Sequence, residues 1–214
     1  MAAVSTRTPS APIPLIVDLT GRRCLVVGGG PVATRRAEAL LAAGATVRIV
    51  APALTPALRE AASSGRVEWR DRPHVDDDAV GCTLVVAATD DLEVNRAVAA
   101  DAARHGALCN RADRAEEGDV VVPAAIHREQ LTVAVSTAGA SPGLAAIVRD
   151  EIEDRFGPEW GHLATLLGEL QGPERPRRET VEGMIGAGVL EAFREGDTAR
   201  AGAIARSVAG SVAP

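Results

Sequence analysis

The sequence has few aromatic residues and no long apolar run. Phenylalanine, tryptophan and tyrosine make up 2% of its 214 residues, so any core must be built from the aliphatic side chains of a 46% hydrophobic chain. No run approaches the ~18 apolar residues of a membrane span, and the sequence therefore predicts no membrane partner. The net charge of −6 comes without a basic block, which argues against nucleic acid as a partner. The N-terminus carries no export signal, so we expect a cytoplasmic protein.

Cysteine and histidine are too sparse and too scattered to suggest a metal site. The three cysteines form no Cys-x-x-Cys pair and lie in or beside apolar runs, which is typical of small buried side chains in a reducing compartment. The four histidines include no pair spaced four residues apart and no His-Glu-x-x-His motif. The sequence therefore predicts no metal site. The residues concerned are Cys24, Cys82, Cys109, His74, His105, His127 and His162.

A glycine-rich turn follows the first strongly apolar run. Gly28-Gly29-Gly30-Pro31-Val32-Ala33 comes directly after Cys24-Leu25-Val26-Val27 and has the spacing G-x-G-x-x-A. In a dinucleotide site, one glycine makes the tight turn, the second lets the backbone approach a pyrophosphate, and a small third residue lets the helix pack on the strand. The N–H groups at the helix start then face the phosphate. The turn therefore predicts a dinucleotide site, with a packing turn that binds nothing as the alternative.

The surrounding pattern alternates strands and helices as far as about residue 110. The helix after the turn is predicted to end near Gly44, and a second strand follows at Thr46–Val50. The run Thr83–Ala88 is continuously apolar, as expected of a strand buried on both faces. Together these elements predict an α/β fold with a Rossmann doubly wound parallel sheet. The predicted buried face of the first helix consists of Val32, Ala33, Ala37, Leu40 and Leu41.

The pattern then changes to short strands and helices. Asp119–Pro123 and Leu131–Ser136 are predicted to form antiparallel strands joined by residues 127–130. Ser141-Pro142 is typical of a helix start, with serine as the N-cap. These apolar strands are too few for a self-sufficient domain, so we expect a second chain to cover them in a homodimer. Further predictions are a mobile leader at residues 1–12, helices at 159–170 and 180–194, and a frayed, Ala- and Gly-rich end.

Four motifs occur together in the order and spacing of a known family. They are the glycine turn, Ala87-Ala88-Thr89-Asp90-Asp91, Cys109-Asn110 followed by Asp113, and Ala134–Thr137 with Gly139 and Ser141-Pro142. In these motifs the sequence resembles the precorrin-2 dehydrogenase / sirohydrochlorin ferrochelatase family, the N-terminal module of siroheme synthase. The resemblance extends from Pro14 to Leu170.

The resemblance implies a fold and an activity. It implies an NAD-binding Rossmann domain at residues 14–113, a small α+β dimerisation domain at 114–150, and a helical C-terminal region with a mobile tail at 151–214. Members of the family form homodimers and oxidise the tetrapyrrole precorrin-2 to sirohydrochlorin, passing hydride to NAD+. Some of them then insert Fe2+, as a substrate, to give siroheme. Whether this chain is a dehydrogenase alone or also a ferrochelatase is left open by the sequence.

The resemblance also implies which residues hold the cofactor. The second strand is followed by no acidic residue before Glu60 and by no arginine at 51–54, so the preference for NAD over NADP rests on the family alone. Thr89 and Asp90 follow the buried fourth strand, and either residue is equally well explained as the N-cap of the next helix. The expected cofactor residues are Gly28, Gly30, Pro31, Val32, Pro52, Ala53, Thr89, Asp90 and Asn110.

Asp113 is the expected catalytic residue. It matches the catalytic aspartate of the family, and a carboxylate in a partly closed site can accept the proton that dehydrogenation and chelation release. From the residues alone, a solvated loop aspartate among the charges of residues 113–117 is the preferred explanation. The substrate carries many carboxylates, which arginine binds well, although each cation here is also explained as a surface residue. The expected substrate residues are Arg111, Arg114, His127, Arg128, Ser136 and Thr137, with Arg149 a further cation.

A second class of function fits part of the same evidence. A non-catalytic, NAD-sensing Rossmann dimer would need the glycine turn but would not need Asp113. A variant of Asp113 that binds NAD but has no turnover would therefore count against a sensor.

Overall fold

A computed structural model describes residues 12–170 and 176–211. The chain divides into two compact units, Met1–Val122 and Pro123–Pro214. Residues 1–11 of the predicted leader and residues 212–214 of the predicted tail lie outside the described residues. The three-part domain division given above stays a prediction. Among the described residues, no helix has both the length and the apolar character that a membrane crossing requires.

The first unit is a parallel sheet with helices on both faces. Its five strands lie in the order β3-β2-β1-β4-β5, and every neighbouring pair is parallel. This order confirms the predicted Rossmann doubly wound sheet. The strands are β1 (Arg23–Val27), β2 (Thr46–Val50), β3 (Val67–Arg70), β4 (Leu84–Ala87) and β5 (Leu108–Arg111), and the helices are α1 (Pro31–Ala42), α2 (Pro56–Ser63) and α3 (Leu92–Arg104).

Strand β1 is buried on both faces, which its continuous apolar sequence predicts. Cys24 and Val26 belong to a core that also contains residues of α1 and α2, whereas Leu25 and Val27 belong to a second core with residues of α3. Successive side chains of a strand point to opposite faces, so α1 and α2 cover one face of the sheet and α3 covers the other. The crossover from one face to the other takes place between β1 and β4, which are neighbours.

Helix α1 buries a narrower face than its sequence predicts. Ala33, Ala37 and Leu40 are buried as expected, and Leu41 packs against the same core. Val32, in contrast, is exposed, although it precedes the fully buried Ala33 in the same turn. Gly44 follows the helix with φ +74°, the left-handed conformation expected after a helix end. The exposure of Val32 leaves the start of α1 open at the edge where the glycine turn lies.

The second unit combines a β-hairpin with five helices in its described part. Strands β6 (Ala124–Arg128) and β7 (Leu131–Val135) form a two-stranded antiparallel sheet. A core of the helical part includes Leu163, Met184 and the fully buried Ala201. The helices are α4 (Pro142–Arg155), α5 (Pro158–Glu169), α6 (Arg178–Gly186), α7 (Val189–Arg194) and α8 (Thr198–Ser211).

Four sequence predictions for the later part of the chain are wrong. The first strand of the hairpin begins at Ala124 rather than at Asp119, because the amides of Asp119 and Val120 instead bond to the carbonyl of Cys109, at 2.8 and 3.2 Å. His127 and Arg128 therefore belong to β6 and not to the connection. The predicted helix at 180–194 is two helices separated by Gly188, which has φ +89°. The end expected to fray forms α8, in which Ala201 and Ala205 are fully buried.

Candidate functional site

The carboxyl ends of β1 and β4 define the place where a ligand is expected. In an open parallel sheet, ligands bind outside the carboxyl ends of the strands, where neighbouring strands lead to helices on opposite faces. Here β1 leads to α1 through residues 28–30, and β4 leads to α3 through residues 88–91. The predicted cofactor residues of the glycine turn and of the β4 loop therefore lie at one edge of the sheet.

The three glycines of the turn have different roles. A Cβ on Gly28, which has φ +123°, would overlap the carbonyl oxygen of Ala88, and a Cβ on Gly29 would overlap that of Ala53. These two glycines let the loops after β4 and β2 approach the turn. A Cβ on Gly30 would meet nothing within 4 Å. Gly30 is therefore the glycine that leaves open space beside the helix start.

The start of α1 has the features of an anion site. Gly30 is the N-cap and supplies no side-chain hydrogen bond, and the first turn contains no acidic residue. The N–H groups of Val32 and Ala33 belong to the first turn, which has no intrahelical carbonyls to offer them. Together with the helix dipole, they attract a phosphate group. The residues present therefore fit a dinucleotide pyrophosphate, next to the open space at Gly30.

The loop after β2 is tied to the glycine turn by Thr55. Its backbone N–H donates to the carbonyl of Gly29 at 2.9 Å, and its hydroxyl lies 2.8 Å from that of Thr34 in α1. Pro52 and Ala53 are exposed beside this junction and supply no carboxylate. The expected contacts of these two residues with a cofactor are therefore backbone contacts.

The loop after β4 is fixed by side chains that the sequence did not assign to the site. The N-cap of α3 is Asp91, whose Oδ1 accepts from the N–H groups of Glu93 and Val94 at 2.8 and 3.2 Å. The alternative interpretation of Thr89 or Asp90 as the N-cap is therefore wrong. Thr89 is instead hydrogen-bonded to Asn95, a fully buried residue of α3. A polar residue on the apolar face of a helix was the available sequence signal for Asn95.

Asp113 lies just beyond β5 and is paired with a buried arginine. Nε of Arg111 donates to Oδ1 of Asp113 at 3.1 Å, and Nη2 of Arg111 donates to Oδ2. Nη1 of Arg111 pairs with Glu117, a partner that the sequence gave no means of finding. The Arg111 side chain is 1% exposed and that of Asp113 is 17% exposed, although the Asp113 backbone is open to solvent.

The environment of Asp113 keeps its carboxyl group ionised. The hydrogen bond from Arg111 is the main cause that lowers the pKa of Asp113 below its ordinary value. Partial burial acts in the opposite direction. Asp113 can therefore accept a proton or a hydrogen bond over the neutral range.

Asn110 has a buried oxygen without a partner. Its Nδ2 donates to the carbonyl of Val120 at 2.8 Å, whereas its Oδ1 has no hydrogen-bond partner. Such an oxygen can accept a hydrogen bond from a ligand or from water. The expected role of Asn110 in cofactor binding stays a prediction.

Of the predicted substrate residues in the second unit, His127 and Ser136 are exposed, whereas Arg128 and Thr137 are partly buried. His127 Nδ1 lies 3.2 Å from the Thr132 hydroxyl, and Arg128 donates to Glu153 at 2.7 Å. The loop before α4 contains Ser136 and Thr137. The Thr137 hydroxyl both accepts from the N–H and donates to the carbonyl of Ser141, at 3.0 Å in each case.

The start of α4 and the loop before it have two further features, a serine N-cap and an alanine with a positive φ. Ser141 is the N-cap of α4, as predicted, and its hydroxyl accepts from the N–H of Leu144 at 3.1 Å. Ala138 has φ +52°, a left-handed conformation that favours glycine. The alanine at this position therefore adds strain to the loop.

One cluster of ligand-type side chains lies at the amino end of β4, where α3 ends. Within the described residues, atoms of Asp77, Asp101 and His105 lie within 4.8 Å of one another. Asp101 is fully buried and accepts from the N–H groups of Asp77 and Ala79, at 3.0 Å each, and from Arg104 at 2.9 Å. Burial by itself would raise the pKa of Asp101, but the backbone hydrogen bonds bring it below its ordinary value. These bonds explain the cluster as a cap on the loop before β4.

The three cysteines are free and buried, as predicted. Burial raises the pKa of the Cys24 and Cys109 thiols to about 11. Both thiols are therefore protonated at neutral pH and are poor nucleophiles.

Two family models match the chain. The family described as "Putative NAD(P)-binding" matches residues 15–124. The family described as "Sirohaem biosynthesis protein central" matches residues 128–155. The first match covers the sheet and its glycine turn, and the second covers most of the hairpin and α4.

Similar proteins include siroheme synthases and one solved dehydrogenase. The siroheme synthase of Chromobacterium violaceum is 40% identical over 195 residues, which are 88% of this chain and 42% of that protein. The siroheme synthase of Azotobacter vinelandii is 42% identical over 154 residues, 72% of this chain and 33% of that protein. The chain thus spans less than half the length of these relatives. The structure of SirC, a precorrin-2 dehydrogenase, shares the fold with a TM-score of 0.71 and 24% identity, covering 93% of this chain and 100% of that one.

Proposed function

We propose that this chain, which belongs to the NAD(P)-binding family matched above, oxidises precorrin-2 to sirohydrochlorin with NAD+ as the hydride acceptor. The observation that carries the proposal is the ionised carboxylate of Asp113. Asp113 follows β5, and the neighbouring strand β4 leads into the predicted cofactor loop. Its relatives among the siroheme synthases and the fold shared with SirC support the same substrate class.

The glycine turn and the start of α1 bind the cofactor. The N–H groups of Val32 and Ala33 hold the pyrophosphate, and the open side of Gly30 lets it approach. Bound NAD+ supplies a two-electron acceptor for hydride. The family description covers both NAD and NADP, and residues 51–54 contain neither an acidic residue nor an arginine that would decide between them. We assign NAD from the resemblance to the precorrin-2 dehydrogenase family alone.

Asp113 accepts the proton that balances the oxidation. Dehydrogenation removes a hydride, with its two electrons, from a carbon of precorrin-2 and a proton from the resulting cation. Loss of hydride makes that proton strongly acidic, because the electron pair of the C–H bond that it leaves becomes part of the conjugated ring system. A carboxylate with a lowered pKa is therefore a sufficient base, and it starts each turnover without a proton of its own.

Insertion of Fe2+ is a second step that the same carboxylate can serve. Chelation releases pyrrole N–H protons as the metal enters, and Asp113 is suited to accept them. We propose this activity for the chain as well, with Fe2+ as a substrate and no resident metal site. The lowered pKa of Asp113 supports it in the same way as for the dehydrogenation.

A homodimer is proposed on the basis of the second unit. Helix α4 presents Leu144, Ile147 and Val148 to solvent, with Ile147 67% exposed. The hairpin has only two strands, too few to be stable without further packing. We assign the covering of this surface to a second copy, within the predicted dimerisation segment 114–150. The free, buried cysteines support a cytoplasmic location.

Anaerobic absorbance spectroscopy tests the proposal. Purified protein is mixed with precorrin-2 and NAD+, NADH formation and the product spectrum are followed, and Fe2+ is then added. We expect NADH and sirohydrochlorin from the wild type and loss of turnover in Asp113→Asn. Asp71→Asn, at an exposed aspartate directly after β3, is the matched control and should retain activity.

Each outcome has a distinct meaning. A faster spectral change on adding Fe2+ than in the enzyme-free sample supports the chelatase step, and its absence removes that step alone. NAD binding without any NADH formation by the wild type would contradict the dehydrogenase and favour an NAD sensor.

A further inference from the structure

Two threonine hydroxyls join α2 to α1 beside the glycine turn. Oγ1 of Thr55 lies 2.8 Å from Oγ1 of Thr34. The Thr34 hydroxyl also donates to the carbonyl of Gly30 at 3.0 Å. Oγ1 of Thr55 caps α2 by accepting from the N–H of Leu58 at 3.4 Å. A hydroxyl carries one proton and a carbonyl can only accept, so all of these bonds form together only when Thr55 donates to Thr34.

The backbone of Thr55 fixes the peptide unit between Gly29 and Gly30. Its N–H donates to the carbonyl of Gly29 at 2.9 Å. This peptide bond is trans, and in a trans unit the N–H points in the direction opposite to the C=O. The N–H of Gly30 is therefore turned away from the start of α2.

Two features of the sequence hold Thr55 in place for this contact. Pro56 follows it, and a residue before proline avoids the helical conformation. Thr55 accordingly has φ −59° and ψ 159°. The hydroxyl pair with Thr34 then ties Thr55 to α1, so the place of its N–H is set by its own backbone and by a neighbouring helix.

The N–H of Gly30 is a donor without a partner in the described part of the chain. No hydrogen bond there uses it, and a Cβ on Gly30 would meet nothing within 4 Å. Pro31 comes next and has no N–H. Gly30 therefore offers the donor that precedes the N–H groups of Val32 and Ala33 in the proposed pyrophosphate site.

We propose that Thr34 and Thr55 are positioning residues for the dinucleotide. Their hydroxyl pair holds the start of α2 against α1, and the Thr55 N–H then keeps the peptide between Gly29 and Gly30 in one orientation. In that orientation the Gly30 N–H is presented to the pyrophosphate. Neither threonine side chain contacts the cofactor in this scheme. Their role rests on the dinucleotide site of the proposed function, but not on the reaction at Asp113.

Calorimetry with ADP-ribose on the full chain tests the hydroxyl pair. ADP-ribose carries the pyrophosphate and no nicotinamide, so its binding does not depend on a redox step. Thr34→Val keeps the shape of the side chain and removes the hydroxyl. The Kd should rise about tenfold, because a hydrogen bond to a charged phosphate is no longer held in position. Thr34→Ser keeps the hydroxyl, and its Kd should stay within about threefold of the wild type.

Two further variants test whether the threonines act as one unit. Thr55→Val removes the same pair from the side of α2 and should also weaken binding, and it is the variant to measure if Thr34→Val does not fold. Thr34→Val combined with Thr55→Val should bind about as weakly as the weaker single variant, since both changes break one chain of bonds. Losses that multiply would show two independent effects and would overturn the shared role.

The amide signal of Gly30 gives a readout that a general loss of stability would not move. In protein labelled with 15N-glycine, this signal is assigned by its loss in Gly30→Ala. Saturating ADP-ribose should move it downfield in the wild type and in Thr34→Ser, and much less in folded Thr34→Val. An equal shift in wild type and Thr34→Val would show that the hydroxyl pair does not aim the Gly30 N–H.

Thr46→Val is the matched control. Thr46 is an exposed threonine at the first position of β2, at the end of the strand that is remote from the glycine turn. The same chemical change there should leave the Kd for ADP-ribose and the Gly30 signal unchanged, and urea denaturation checks that each variant is folded. A wild-type Kd in folded Thr34→Val, or an equal loss of affinity in Thr34→Ser or Thr46→Val, would overturn the role of the two threonines.

The same experiments keep the threonines and the reaction apart. A wild type that binds ADP-ribose but does not oxidise precorrin-2 overturns the dehydrogenase, while the comparison of Kd values still decides the role of the threonines. A wild type that turns over while Thr34→Val binds normally overturns that role alone. A wild type that binds neither ADP-ribose nor NAD+ overturns both.

Discussion

Alanine substitutions at the three glycines of the turn should separate packing from cofactor binding. Gly28→Ala places a Cβ against the carbonyl of Ala88 at φ +123°, and Gly29→Ala does the same against the carbonyl of Ala53. A clash with a backbone carbonyl, joined at Gly28 by strain from its positive φ, costs on the order of 3 kcal/mol or more of folding free energy. In Gly30→Ala the added methyl group meets open space, and φ is an ordinary −85°.

Gly30→Ala should therefore fold normally and bind the cofactor poorly. Replacing glycine by alanine at an N-cap costs about 1 kcal/mol or less of stability. The methyl group occupies the space through which a pyrophosphate would reach the helix start. Even a partial clash of about 1.4 kcal/mol weakens binding tenfold.

Two assays measure these effects independently. Urea denaturation gives the free energy of unfolding, and isothermal titration calorimetry gives the Kd for NAD+. We expect large stability losses for Gly28→Ala and Gly29→Ala, and a near-normal stability with at least tenfold weaker NAD+ binding for Gly30→Ala. Wild-type affinity in Gly30→Ala would refute the assignment of the open space to the pyrophosphate. Normal stability in the other two variants would refute the packing role of their glycines.

Three further predictions concern other parts of the chain. Asp101→Asn should lower the free energy of unfolding by on the order of 3 kcal/mol at pH 7, measured in urea, because a carboxylate that caps a buried loop is lost. Folding lowers the pKa of Asp101, so the stability that its carboxylate contributes is fully present above the unfolded pKa of about 4. This stability is lost as the pH falls through the folded pKa. Asp101→Asn should therefore lose less stability in acid than the wild type does. Ile147→Asp should convert a dimer into a monomer in light scattering at micromolar concentration, and a wild type that is already monomeric there would contradict the proposed interface. Ala138→Gly should raise the free energy of unfolding by about 1 kcal/mol, since it relieves a φ of +52°, and no change would show that the loop is not strained.

The parallel sheet could be predicted because its signals are local. The run Cys24–Val27, the glycine turn and the run Thr83–Ala88 each specify a strand or a turn from neighbouring residues alone. The start of the hairpin could not be predicted in this way. Val120–Val122 has the composition of a strand, but the amides of Asp119 and Val120 are already used by the carbonyl of Cys109, a contact across ten residues. Pro123 then has no N–H to donate, so the strand begins only at Ala124.

The sequence predicts which residues form the candidate site, but not which side chains these residues are paired with. Asp113 was singled out by a resemblance, and the structure adds Arg111, which donates two hydrogen bonds to its carboxylate. Glu117, which pairs with the same arginine, lies six residues after it, and nothing in the local pattern indicates that contact. The sequence shows that a residue is charged, and a role is assigned to it on that basis. The role also depends on whether the charge is already paired with another side chain, which only the structure shows.

The burial of their existing ion pairs ranks the arginines that are expected to bind the carboxylates of the substrate. Arg111 is 1% exposed and is shared between two carboxylates, so a substrate would have to break a buried ion pair to reach it. Arg114, Arg128 and Arg149 also have acidic partners, but their side chains are 43%, 25% and 34% exposed. Partly exposed pairs of this kind are worth about 1 kcal/mol or less, so these arginines can exchange a protein carboxylate for one on the substrate at little cost. We therefore infer that Arg111 serves the proposed base, and that the more exposed arginines are the better candidates for substrate recognition.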